Sequence, residues 1–267
     1  MIATLGPNMK ENFELPEYFE KHRAVLKDTI KECVDIHAEK ASTGTLDSKF
    51  GGCPYFPKGM AYPLNQEGNP LKLLAQINFE QVPRLNNYPE KGILQFFLDP
   101  CDELYGCSFD ENTEQKNFRI IYHEEIETDE SKLLSDFSFV KVEEEMFPIE
   151  SEAKLIFTKG TQIMPAGDFR FDSLIGADDK YEHYAELERY YELYGSLSHK
   201  IGGYPGFTQF DPREHYHKDR TELLLQVDSD DAIDIIWGDC GVANFFISEE
   251  DLKNKDFSKV LYNWDCS

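Results

Sequence analysis

A thirteen-residue block that occurs twice constrains this chain more than any other feature of its sequence. The first copy, 44–56, reads Gly-Thr-Leu-Asp-Ser-Lys-Phe-Gly-Gly-Cys-Pro-Tyr-Phe, and the second, 195–207, reads Gly-Ser-Leu-Ser-His-Lys-Ile-Gly-Gly-Tyr-Pro-Gly-Phe. Seven of the thirteen positions are identical. Two later pairs of segments also match, 73–78 with 223–228 and 92–98 with 241–247. Matched blocks in one order, at offsets of 151, 150 and 149 residues, predict an internal duplication.

Each copy of the block follows a segment with helical periodicity and precedes segments with the composition of strands. The helical segments are 14–40 and 178–194, where apolar residues recur at three- and four-residue steps. Short turns between the strands favour antiparallel pairing. We therefore predict an α+β fold with a single domain over 1–267. It would consist of two helix-plus-antiparallel-strand repeats, about 14–122 and 178–264, that share one core around a pseudo-twofold axis.

An acidic insertion at 123–152 would separate the two repeats. Residues 124–152 contain eleven acidic residues and two lysines. In the whole chain, 51 acidic and 27 basic residues give a formal net charge of −24. This charge disfavours nucleic acids and anionic membranes as partners, because both attract positive protein surfaces. The insertion is either a docking face for a basic partner or a solvated segment, and the second interpretation is favoured because charge runs usually remain solvated.

The sequence also carries no signal for export, membrane insertion or cofactor binding. The N-terminal residues lack the basic and apolar regions of a secretory signal, and no run of about 18 apolar residues occurs. The six cysteines lack CxxC spacing and are expected to be reduced thiols. We therefore expect a cytoplasmic protein without a cofactor, with a monomer as the working expectation.

Eight residues shared by the two copies are interpreted as structural. They are Gly51, Gly52, Pro54 and Gln76 in the first repeat and Gly202, Gly203, Pro205 and Gln226 in the second. At least one glycine of each pair is predicted to have a positive φ, with proline fixing the exit from the bend. Phosphate binding by the glycines is the alternative, but their spacing matches neither the dinucleotide nor the P-loop motif. The glutamines are predicted to be buried amides with hydrogen-bond partners.

Four residues are candidates for binding a ligand. Lys49 and Lys200 occupy matched positions, and one hypothesis is a ligand cleft between the repeats lined by these lysines, Tyr55 and His215. The alternative is that each lysine stem covers an apolar ring. His215 and His217 would point to the same side of an extended segment. No third ligand stands at a fixed spacing, so no metal site is expected there.

Four motifs of the chain together resemble the bacterial YwqG-like family. They are the Gly-Gly-x-Pro block, the Leu-Leu-x-Gln strand, Trp-Gly-Asp-Cys-Gly at 237–241 and Tyr-Asn-Trp-Asp-Cys at 262–266. The resemblance extends from about the first predicted helix to the last residue. The function of that family is unassigned, so the resemblance implies a fold and membership, and no catalytic residue is carried over.

The leading functional hypothesis is a non-enzymatic binding or interaction protein with an acidic recognition surface. Its partner would be a basic protein, and its concrete version is an immunity-like, toxin-neutralising role in which charge steers the encounter. The alternative is a small-molecule-binding or hydrolytic enzyme with a cleft between the repeats. A flat acidic patch would favour the first hypothesis, and a deep pocket with converging titratable groups would favour the second.

Overall fold

A single curled antiparallel sheet dominates this computed structural model. The structure describes residues 13–110, 112–142, 147–176, 180–214 and 216–267. The strands in these ranges are β1 (Lys31–Lys40), β2 (Lys49–Phe50), β3 (Lys72–Asn78), β4 (Ile93–Leu98), β5 (Phe118–His123), β6 (Ala153–Gln162), β7 (Lys200–Gly202), β8 (Glu222–Asp228), β9 (Val242–Ile247) and β10 (Leu261–Asp265). Their order across the sheet is β10-β9-β8-β7-β1-β6-β2-β3-β4-β5.

The predicted α+β arrangement of helix-plus-strand repeats is wrong, because the sheet makes up most of the regular structure. The α-helices in the described part of the chain are α1 (Arg23–Lys27), α2 (Phe171–Ile175), α3 (Tyr184–Tyr194) and α4 (Glu249–Asn254). Short 3-10 helices precede α1 and α3, at Glu17–His22 and Lys180–His183. Within the described ranges, no helix has the length and apolar character needed to cross a membrane.

The error is largest at 31–40, which the sequence assigned to the first helix and which forms strand β1. Its buried residues Val34, Ile36 and Ala38 recur with a period of two, as on one face of a strand. Apolar residues in this stretch also fit helical steps, so local periodicity is ambiguous. Strand pairing determines that this stretch is a strand and not a helix, because β1 pairs along its whole length with β6 and on its other side with β7.

Strands β1 and β6 form the centre of the sheet, and four strands lie on each side of them. We call β2–β5 the first quartet and β7–β10 the second quartet. In each quartet the strands run outward in chain order, and neighbouring strands are antiparallel. β1 borders the second quartet, whereas β6 borders the first. The two halves of the sequence are therefore interlocked through these central strands.

The inner faces of the two quartets pack against each other in the main core. The rings of Phe96 in β4 and Phe245 in β9 meet edge to face, with centroids 4.8 Å apart. Both side chains are fully buried, as are Phe50, Trp237 and Tyr262 in the same cluster. Complete burial of a large apolar side chain contributes about 1.5–3 kcal/mol, so this core is a major source of stability.

Segment 99–117, described except for residue 111, covers the outer edges of both quartets. The carbonyl of Asn112 accepts a hydrogen bond from the backbone N–H of Tyr262 in β10, at 2.9 Å. The Gln115 Oε1 atom accepts one from the N–H of Ile120 in β5, at 2.8 Å. These contacts occupy backbone groups on both edges that could otherwise pair with strands of other chains.

The acidic segment 123–152 is anchored to the rest of the protein by apolar side chains. Leu133, Phe147 and Ile149 are buried, with exposed fractions of 5%, 7% and 2%. Residues 143–146 lie outside the described ranges. The segment therefore combines an acidic surface with a packed inner side.

Candidate functional site

The paired glycines turn the chain from β2 and β7 across the outer face of each quartet. All four have positive φ, as predicted from the sequence, with values of 64°, 69°, 72° and 66° at Gly51, Gly52, Gly202 and Gly203. A Cβ atom on Gly203 would also lie 2.2 Å from the Oε1 atom of Gln162. Both the conformation and the available space therefore require glycine at this bend.

Gln76 holds the first glycine loop on the sheet. Its side chain is fully buried. The Oε1 atom accepts a hydrogen bond from the backbone N–H of Tyr55 at 2.7 Å. The Nε2 atom donates to the carbonyls of Thr45 and Asp47, both at 2.9 Å. The amide thus closes the loop at both of its ends.

Gln226 makes the same set of hydrogen bonds in the second quartet. Its Oε1 atom accepts from the N–H of Gly206 at 2.7 Å, and its Nε2 atom donates to the carbonyls of Ser196 and Ser198, both at 2.7 Å. Each of these partners lies 151 residues after its counterpart in the first loop. A buried amide with all of its partners inside the protein has a structural role.

Lys49 and Lys200 lie inside the glycine loops, and neither faces a cleft. The ammonium of Lys200, fully buried, donates to the carbonyl and hydroxyl of Ser196 and to the carbonyl of Tyr204. That of Lys49, 1% exposed, donates to two carbonyls of its own loop at 2.7 and 3.0 Å. Burial lowers the pKa of Lys200 to about 8 and also lowers the pKa of Lys49.

The other residues of the hypothetical cleft do not join these lysines around a cavity. Tyr55 is fully buried with its ring edge-on to His123, at 5.0 Å between centroids. Lys49 and Lys200 lie on strands three spacings apart in the sheet, roughly 14 Å. His215 lies outside the described residues. Among the described residues no group of three potential metal ligands occurs, and the absence of metal at His215 and His217 stays a prediction.

A cavity of about 720 Å³ opens at the outer strand of the second quartet. Aromatic side chains from three separate segments line it, namely Phe109, Phe210, Tyr216 and Trp264. We call this cavity the aromatic pocket. The first three of these rings are 56%, 63% and 76% exposed. Large apolar side chains exposed together in this way usually mark a binding surface.

The polar groups of the aromatic pocket are mostly hydrogen-bond acceptors or amides. They comprise Asp110, Asn112, Gln209, His217, Asn263, Asp265 and the Cys266 thiol. Within the described part of the chain, no lysine or arginine lines this pocket. The combination of aromatic faces with carboxylates and no cation favours positively charged groups as ligands.

Asp265 fixes one wall of the aromatic pocket. Its carboxylate accepts hydrogen bonds from the N–H and hydroxyl of Thr208, at 3.2 and 3.0 Å, and from the N–H of Gln209 at 3.0 Å. Burial raises the pKa of Asp265 above its usual value, and these hydrogen bonds oppose the increase. The contacts hold the loop that carries Phe210 against the end of β10.

A buried ion-pair network fixes the same loop from its other side. The guanidinium of Arg213, 0% exposed, donates to the carboxylates of Asp211 and Asp168 at 2.6 and 3.1 Å. Arg170 donates to both oxygens of Asp168 at 2.7 Å. Burial raises the pKa of Asp168, but the hydrogen bonds and charges of the two arginines bring it below its usual value. The network joins the pocket loop to the turn before α2.

The aromatic pocket was not predicted from the sequence. Its lining residues lie in segments 109–112, 209–217 and 263–266, which only the folded sheet brings together. The family resemblance includes 262–266, although without a role for these residues. The available signal was the occurrence of Phe109, Phe210 and Tyr216 in polar, proline- and aspartate-containing loops, where a large ring has no obvious core to join.

The chain belongs to the family described as Domain of unknown function (DUF1963), whose model matches residues 48–266. The matched region contains all four paired glycines, strands β2 to β10 and every described lining residue of the aromatic pocket. A search of curated proteins found no match.

Proposed function

We propose that this member of the DUF1963 family is a binding protein whose aromatic pocket takes side chains of a positively charged partner protein. The observation that carries the proposal is the exposure of Phe109, Phe210 and Tyr216 around one cavity that also contains carboxylates. Aromatic faces attract ammonium and guanidinium groups, and carboxylates pair with them. The occupant is therefore a basic segment.

The charge of the protein supports the same choice of partner. Asp110 is exposed in the pocket lining, and the neighbouring Glu214 is exposed in the loop that carries Phe210. The whole chain has a formal net charge of −24. A field of this sign accelerates the approach of a basic protein and weakens as salt is added.

A small organic ligand is the second candidate occupant. The volume of about 720 Å³ lies in the range of roughly 300–1,000 Å³ that is typical of small-molecule sites. An enzymatic cleft lined by Lys49, Lys200 and Tyr55 is not proposed, because these side chains are buried and have partners within the protein.

The motifs quoted from the sequence support a YwqG-like member of the family. A site of action in the cytoplasm is part of the same proposal. The equal hydrogen bonds of Gln76 and Gln226 support an origin of the two quartets by duplication. An immunity-like protein that neutralises a basic toxin is the concrete form of the binding function.

Fluorescence polarisation with labelled peptides tests the proposal. A peptide of alternating lysine and leucine should bind, and its affinity should fall with added salt, whereas glutamate–leucine and glutamine–leucine peptides should not bind. Phe210→Ala with Tyr216→Ala should weaken binding about tenfold or more. Tyr184→Ala is the matched control, because it removes a ring that is 61% exposed on α3, outside the pocket lining. Equal binding by the pocket variant and the control would refute the proposal.

If no peptide binds, a small organic ligand becomes the favoured occupant of the aromatic pocket. In that case, a panel of small aromatic amines and acids should raise the melting temperature of the wild-type protein and not that of the Phe210→Ala, Tyr216→Ala variant.

A further inference from the structure

In the first quartet, the carboxamide of Gln95 has a partner for each of its polar atoms. Its Nε2 atom donates to the carbonyl of Tyr55 at 2.6 Å and to the Oε1 atom of Gln76 at 2.9 Å. A carbonyl oxygen can only accept, so this contact fixes which end of the amide is the nitrogen. The Oε1 atom of Gln95 then accepts from the Nε2 atom of His123 in β5, at 2.9 Å.

Asn244 occupies the matching position in the second quartet, but only one end of its amide has a partner. Its Nδ2 atom donates to the carbonyl of Gly206 at 2.9 Å, which again fixes the orientation. Its Oδ1 atom is buried, and no group in the described part of the protein donates to it. The side chain as a whole is 0% exposed. Buried acceptors of this kind are rare in folded proteins.

The strand register explains the missing donor. His123 pairs with Ile93 in the first quartet, and the matching pair in the second is Asp265 with Val242. A carboxylate therefore stands where the donating imidazole stands in the other quartet. An ionised carboxylate accepts hydrogen bonds and cannot donate one.

Asn244 lies on the same face of the sheet as two residues that line the aromatic pocket. Its Cα partner across the sheet is Asn263, and both Asn263 and Asp265 line the pocket. Residues paired in this way place their side chains on the same face. Asn263 and Asp265 are 6% and 9% exposed, so the lining of the pocket includes sheltered oxygen acceptors on the strand next to Asn244.

From this arrangement we infer that the aromatic pocket is specific for a guanidinium group, supplied by an arginine side chain of the partner. The inference rests on the proposed function. The guanidinium donates to the oxygens of Asn244, Asn263 and Asp265, and its flat faces stack on the rings at the rim. A lysine ammonium has fewer donors, is more strongly hydrated and cannot stack, so it binds the same site less well.

Three labelled peptides that differ at one position test this specificity. Their sequence is Lys-Leu-Xaa-Leu-Lys, where Xaa is arginine, citrulline or lysine. Citrulline keeps the shape of arginine without its charge. The arginine peptide should bind about tenfold or more tightly than the other two, as expected for hydrogen bonds to a charged group. Equal affinity of the three peptides would overturn the inference.

Asn263→Ile is the variant of choice, because the matching position in the first quartet is Ile121, which the same sheet accommodates. The variant should reduce the preference for arginine over lysine to within about twofold. An unchanged preference for arginine would count against the inference.

NMR of the wild-type protein provides a test that does not depend on whether the variant folds. The side-chain amide signals of Asn244 and Asn263 should shift with the arginine peptide and not with citrulline, and equal or absent shifts would also overturn it.

The results separate this inference from the proposed function. If all three peptides bind with equal affinity and Phe210→Ala lowers the affinity for each of them, the proposed function is supported and guanidinium specificity is refuted. If none of them binds in a manner that depends on Phe210, both fall.

Discussion

Gln76 and Gln226 hold the two glycine loops through the same three hydrogen bonds, although they lie 150 residues apart in the chain. In each loop, one side-chain amide forms hydrogen bonds with three backbone groups that have lost contact with solvent. The structural role of these residues is therefore defined by their contacts as well as by their position in the repeated block.

Gln226→Leu should lower the free energy of unfolding by about 2–4 kcal/mol, because it leaves the buried N–H of Gly206 and the carbonyl of Ser198 without a partner. It also removes one of the two donors to the carbonyl of Ser196, which keeps the ammonium of Lys200. Urea unfolding monitored by tryptophan fluorescence measures the change. Gln66→Leu is the control, since Gln66 is exposed, and a surface change of this kind stays within about 0.5 kcal/mol. Similar values for both variants would show that the amide bonds of Gln226 contribute little.

Lys49→Met should lower the free energy of unfolding by about 2 kcal/mol or more, because two loop carbonyls lose the ammonium that donates to them. Lys154→Met provides a matched control on the paired strand, since Lys154 is exposed and is the Cα partner of Lys49. Denaturant unfolding of both variants decides the point. An unchanged stability of Lys49→Met would indicate that an apolar chain fills the site equally well.

Gly203→Ala should be more destabilising than Gly68→Ala, although both glycines have positive φ, +66° and +88°. A Cβ at position 68 would meet no atom within 4 Å. The cost of Gly68→Ala is therefore only that of placing alanine at a positive φ, about 1–2 kcal/mol. At position 203 the Cβ would also displace Gln162. Thermal unfolding of the two variants gives the comparison, and equal melting temperatures would exclude a steric contribution.

The stability of the protein should fall as the pH is lowered from about 6.5 towards 4. Burial lowers the pKa of His123 to about 4, whereas an unfolded histidine has a pKa of about 6.5. Between these values the unfolded state binds more protons, so the contribution of neutral His123 is complete above about pH 6.5 and decreases below it, by about 1–3 kcal/mol.

His123→Gln isolates this effect, because glutamine can donate to Gln95 without titrating. Its unfolding free energy should therefore change less between pH 6.5 and 4 than that of the wild-type protein. Parallel pH profiles of the two proteins would assign the loss of stability to other groups.

Arg213→Leu should loosen the wall of the aromatic pocket, because it leaves the carboxylates of Asp211 and Asp168 with fewer buried partners. Breaking a buried ion pair of this kind destabilises by about 3–5 kcal/mol. Limited proteolysis should cut the loop around Phe210 faster, and the affinity for the lysine–leucine peptide should fall. Unchanged proteolysis would show that Asp265 alone fixes the loop.

Several local features of the chain could be predicted from its sequence. The glycine pairs indicated positive φ, and all four have it. Serine is a preferred residue at the start of a helix, and the hydroxyl of Ser248 accepts a hydrogen bond from the N–H of Asp251 at the N-terminus of α4. The physical basis is local in both cases, since the required backbone geometry depends on residues only a few positions apart.

Only the tertiary structure determined the secondary structure of residues 31–40 and the formation of the aromatic pocket. The stretch 31–40 fits helical and strand periods, and it becomes β1 because β6 and β7 satisfy its backbone hydrogen bonds from both sides. The pocket depends on the packing of segment 99–117 against β10 and on the buried charges of Arg213 and Asp168. By itself the sequence determined the turns and caps, where neighbouring residues set the backbone geometry. The pairing of distant strands and the site at their ends depend on contacts between residues far apart in the chain, which no local pattern specifies.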